Sequence, residues 1–114
     1  AAFGRQDYAA TIEFLTPIRA HSNRFGGSHA QRDVLHLTLL EAALRGGRPS
    51  LARALAAERT ELKRTSPFNW RAMARALKAQ GLEDEARQAL TSADMKAAVQ
   101  RAQPLVPLRE VAVG

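Results

Sequence analysis

Residues 70–90 read WRAMARALKAQGLEDEARQAL. Trp70, Met73, Ala74 and Leu77 recur at i, i+3, i+4 and i+7, one apolar face of a helix. Gly81 ends that helix, because glycine accepts the left-handed conformation a helix terminus needs. Glu83, Asp84 and Glu85 then open a second helix, where acidic side chains meet the positive end of the helix dipole. Its Ala86, Ala89 and Leu90 are expected to face inward. The stretch therefore predicts two amphipathic helices folded back on one another across a glycine break.

The same punctuation recurs upstream. Asp7 to about Asn23 reads as a helix with Tyr8, Ile12, Leu15 and Ile18 on one side, and Pro17 predicts a kink within it. Gly26 and Gly27 stop it. Ser28-His29-Ala30-Gln31 then matches a capping box, in which the serine oxygen and the Gln31 side chain each satisfy an amide of the next helix. That helix, His29 to Arg45, is apolar nearly all round, which predicts neighbours on several sides. Pro49 and Pro67 fall where a first helical turn tolerates a missing amide, and Ser66 precedes Pro67 as a cap. The third helix is expected to reach about Arg64 and to bury Leu51, Ala52, Leu55, Ala56 and Leu62. The last helix runs to about Ala102, with an interruption expected at Thr91 or Ser92. The tail QPLVPLREVAVG, with two prolines, reads as extended.

Moving Trp70–Ala86 back by about 34 residues, a tetratricopeptide period, gives Leu39, Leu40, Ala43, Gly47 and Ala52, with Ala56 in the place of Leu90. The expected fold is all-α: five to six helices in antiparallel tetratricopeptide-like pairs, followed by an extended tail. The helical domain covers 1–102, with pairs at 28–64 and 66–90, half of an earlier pair at 7–24, and the tail at 103–114. The segments DYAATIEFLTPIR, GGSHAQRDVL, EAALRGGRPSLARALAAER and SPFNWRAMARAL resemble the C-terminal portion of the tetratricopeptide repeat protein 38 family, over about residues 4 to 90. The resemblance implies a larger helical-repeat parent and transfers no catalytic residue. AAFG at the start reads as the end of a preceding helix.

Composition narrows the function. Seventeen basic against eleven acidic residues give a net charge of +6, yet arginine outnumbers lysine 14 to 3 and the charges are dispersed. That pattern fits coding bias better than a nucleic-acid footprint, so nucleic acid is the second-ranked partner. There is no cysteine, hence no thiolate ligand or thiol nucleophile, which fits a cytoplasmic protein. No apolar run approaches a membrane span. No Walker or dinucleotide motif and no nucleophile elbow is present, so Ser28 reads as a cap, the chain as no enzyme, and no cofactor is expected.

Two constellations remain. His29, Asp33 and His36 share a helical face and are weak candidates for a divalent metal, and with it for a metal-assisted enzyme fragment as the third-ranked function, against a structural role for each. Arg32 and Asp33 are expected to brace the loop and the neighbouring helix. Arg71, Arg75 and Lys78 form a basic stripe that the repeat frame places in a concave groove, beside Leu37 and Glu41 from one repeat earlier. Such a groove suits a protein or peptide segment carrying acidic groups; the competing reading is a solvated face. Trp70 is expected to be largely buried. The apolar side of the first helix predicts that the chain pairs with itself, unless the tail covers it.

Overall fold

The computed structural model describes residues 5–102. It contains five helices and, among the described residues, no strand: α1 (Arg5–Phe25), α2 (His29–Arg45), α3 (Pro49–Leu62), α4 (Pro67–Ala79) and α5 (Glu83–Ala102). The capping box forms: Ser28 Oγ accepts from the Gln31 amide at 3.1 Å, and Gln31 Oε1 accepts from the Ser28 amide at 3.3 Å. Ser66 Oγ accepts from the Asn69 amide, and Pro49 and Pro67 each occupy a first turn. Gly26 takes φ 84, the left-handed exit that a side chain would oppose.

Breaks of three or four residues leave each helix room only to reverse and pack on its predecessor. Each helix contacts the next, and α2 also reaches α4 across α3. The core lies along these seams. Ile12, Leu39, Leu40, Leu55 and alanines 42, 43, 52, 56, 72 and 76 form one cluster; Ala74, Leu77, Ala86 and Ala89 form another beside Trp70. Ten of the fifteen buried apolar side chains among the described residues are alanines. Such small side chains let helix axes approach closely, so no large side chain is completely sealed.

Several expectations need correction. α1 runs from Arg5 to Phe25, two residues longer at each end than expected, with Pro17 inside it as read from the sequence; Thr16 Oγ1 donates to the Ile12 carbonyl beside the proline. α3 ends at Leu62, and Leu62 is 75% exposed rather than core. Leu90 is also exposed, at 46%. Both lie on faces that no described helix covers. α5 is uninterrupted at Thr91, whose hydroxyl donates to the Arg87 carbonyl instead of breaking the ladder. Trp70 is half-buried: its Nε1 donates to the Arg64 carbonyl at 2.8 Å and the Lys96 ammonium sits 5.3 Å from its ring. The tail 103–114 lies outside the described residues.

Candidate functional site

The groove between α2 and α4 has a volume of about 680 Å³. Leu37, Leu40 and Ala42 of α2 and Ala72 of α4 supply its apolar lining, Phe68 stands at its edge, and Tyr8 and Thr11 of α1 contribute one wall. Tyr8 can reach α2 because residue 46 is glycine. A Cβ there would lie 2.7 Å from the Ala42 carbonyl oxygen and 2.9 Å from the Tyr8 Cβ, both too close.

An ion cluster occupies one part of the groove. Arg75 donates to Glu41 through both terminal nitrogens, each at 3.0 Å, in a forked pair spanning α4 and α2. Arg45 donates from Nε to the same carboxylate at 2.7 Å. The Arg75 hydrogen bond, reinforced by Arg45 against the opposing effect of burial, holds the Glu41 carboxyl down at about 2. The bond to Glu41, and next the one to Tyr8, raise Arg45 above its ordinary value.

Arg71 also lines the groove, one turn before Arg75, and makes no ion pair or hydrogen bond among the described residues. Of the five residues expected in the groove, Leu37, Glu41, Arg71 and Arg75 are therefore brought together. Lys78 is not: it lies a turn past Arg75, beyond the ion cluster, and is exposed. The stripe is also less basic than its sequence suggests, since Glu41 neutralises one arginine equivalent. Three arginines against one carboxylate leave a formal charge of +2.

His29, Asp33 and His36 line a different groove, of about 640 Å³, formed by α1, α2 and α3. Two of the three, His36 and Asp33, already have partners of their own. His36 is buried, and its Nε2 lies 2.8 Å from the Leu55 carbonyl oxygen. A carbonyl only accepts, so Nε2 carries the proton and donates. Burial, the largest influence, lowers the His36 pKa below its ordinary value, against the opposing Leu55 bond. Asp33 Oδ1 accepts from Arg59 at 2.8 Å, which joins α2 to α3. Asp33 thus has the bracing place expected of it, whereas Arg32 has no such partner among the described residues. No group of three His, Cys, Asp or Glu side chains among the described residues is placed to hold a metal ion.

Asn69 is the residue that sequence reasoning missed. It is buried at the start of α4. Its Nδ2 donates to the Arg59 and Lys63 carbonyls at 2.9 and 3.3 Å, and its Oδ1 accepts from Arg59 Nε at 3.0 Å. One amide thus satisfies the exposed end of α3 and fixes the guanidinium that binds Asp33. Asp33, Arg59 and Asn69 thus form a polar chain from α2 through α3 to α4.

No protein-family model matches the chain, and no solved structure matches it significantly. None of the described helices is long and apolar enough to cross a membrane.

Proposed function

We propose that this chain is a non-enzymatic, tetratricopeptide-like interaction module that holds an acidic, partly apolar protein segment in the groove between α2 and α4. Arg71 carries the reading: an arginine with no partner among the described residues stands over an apolar groove beside an arginine already forked onto a carboxylate. The Arg75–Glu41 pair models how a ligand carboxylate would sit, and Leu37, Leu40 and Phe68 offer contacts to apolar residues on the same segment. The 34-residue separation of Arg75 and Glu41, and the approach of α2 to α4, fit a repeat in which equivalent positions of successive pairs face one another. A cytoplasmic setting suits a chain free of cysteine.

The test is fluorescence anisotropy with a labelled peptide bearing leucine and glutamate at helical spacing. The control peptide has lysine for each glutamate, and a labelled single-stranded oligonucleotide serves as a further probe. The acidic peptide should bind, the lysine peptide should not, and Arg71→Glu should weaken binding by tenfold or more, the size of one charge-assisted bond. Equal binding of both peptides, or an indifferent Arg71→Glu, defeats the reading. Tighter binding of the oligonucleotide, falling steeply with salt, would replace it with the nucleic-acid alternative.

A further inference from the structure

One exposed side of α1, bordering α2, is apolar. Phe14 is 68% exposed, Ile18 39% and Phe25 67%. With His21 they recur every three to four residues and make one stripe over about 17 Å of helix. The stripe continues onto α2, where Val34 is 61% exposed. Between the two helices runs a shallow groove of about 590 Å³ lined by Ile18, His21, Ala30, Val34 and Leu35. A continuous apolar surface of this kind marks an association site.

The charges beside the stripe say what covers it. At 3.6 residues per turn, Glu13 and Arg24 lie on the same flank, the one away from α2. Both are exposed, and neither has an ion-pair partner among the described residues; Arg24 only stacks near its neighbour Phe25. They are the only charged residues on that flank between residues 7 and 25. The residues between them there, Pro17 and Ala20, are small.

We infer that α1 is a homodimer interface, on which a second copy of this chain lays its own α1 antiparallel about a two-fold axis near Ile18. Such an axis returns each flank to the same side, so identical flanks meet. Residue levels then add to about 37. Glu13 of one chain stands level with Arg24 of the other, and the pair occurs twice. On the stripe, Phe14 comes level with the gap between His21 and Phe25 of the second copy. Phe25 comes level with the gap between Ala10 and Phe14, where the small Ala10 leaves room. A parallel pairing about a two-fold axis along the helices would send this flank to opposite sides of the seam, where Glu13 and Arg24 of the two copies never meet, so only the antiparallel pairing joins the opposite charges. This surface is separate from the groove, to which α1 contributes only Tyr8 and Thr11.

Light scattering and sedimentation on the full chain provide the test. The expected mass is twice 12.4 kDa. Glu13→Arg and Arg24→Glu should each weaken dimerisation about tenfold or more at low salt, since each turns two attractive pairs into two repulsive ones. The double variant Glu13→Arg/Arg24→Glu restores both pairs with signs exchanged and should dimerise within about threefold of wild type. All three changes are on the surface, so circular dichroism should stay that of the wild type. A wild-type monomer at up to about 1 mM, the weak end of specific association, overturns the inference. So does an undiminished single variant, or a double variant no better than the singles. Peptide capture by the groove is read separately and can fail without touching this result.

Discussion

Replacing Asn69 with alanine tests the polar chain that joins α2, α3 and α4. The substitution leaves the Ser66 cap intact, because that bond uses the residue 69 backbone amide. It removes two neutral donations, to the Arg59 and Lys63 carbonyls, and one charge-assisted bond from Arg59. Neutral bonds contribute about 1 kcal/mol each and a charged one about 1.5–3, for a gross loss of about 4 kcal/mol. Some of this is recovered. Both carbonyls keep a backbone donor, Lys63 N to Arg59 O at 3.1 Å and Ser66 N to Lys63 O at 3.3 Å. Arg59 also keeps Asp33. A net loss of about 3 kcal/mol is expected. For a domain near 100 residues that lowers the melting temperature by roughly 10–20 °C. Urea and thermal unfolding followed by far-ultraviolet circular dichroism measure both quantities. A loss below about 0.5 kcal/mol, the range of an ordinary surface substitution, would mean that Asn69 fixes nothing.

Two further outcomes follow from the same geometry. His36 is held neutral by burial, with its pKa below the ordinary 6.5; the unfolded chain therefore binds the extra proton first, and stability should fall as pH drops through 6.5, by up to about 1.4 kcal/mol per pH unit. His36→Gln should flatten that part of a melting-temperature profile, while a second decline, as Glu41 protonates between about 4.5 and 2, should persist; an unchanged slope near pH 6.5 would count against the histidine. Gly46→Ala drives a methyl into the Ala42 carbonyl and Tyr8; it should destabilise by about 1–3 kcal/mol and shift Tyr8 fluorescence, and a variant as stable as wild type in urea would refute the close approach.

What was legible in the sequence was mostly local. Ser28, Gln31, Ser66, Pro67 and the glycines act within a few residues of themselves, so their reading needs no knowledge of the neighbours. The apolar period at Trp70, Met73, Ala74 and Leu77 likewise fixes one face of α4. Period alone does not reveal whether a face has something to pack on, which is why Leu62 and Leu90 look like core residues and are exposed. In the groove, Leu37, Glu41, Arg71 and Arg75 could be placed together because a shift of about 34 residues aligns successive helices. The same shift aligns Glu41 with Arg75, so their pairing was a readable signal. Asn69 left none: its partners are carbonyls and a guanidinium ten residues away, and nothing in its immediate surroundings marks it as buried.

The alanine seams make this fold's tolerance to change one-directional. In a core of leucine and phenylalanine, a random substitution usually deletes atoms and leaves a void. At Ala43, Ala52, Ala56, Ala76 or Ala93, all with no measurable exposure, only glycine is smaller. Nearly every other replacement inserts atoms between two helix backbones and must push them apart. Harm at these positions should therefore scale with the volume added rather than with the polarity introduced. The seams, more than any surface, fix how far apart α2 and α4 stand, and so how wide the space between Arg71 and Leu37 can be.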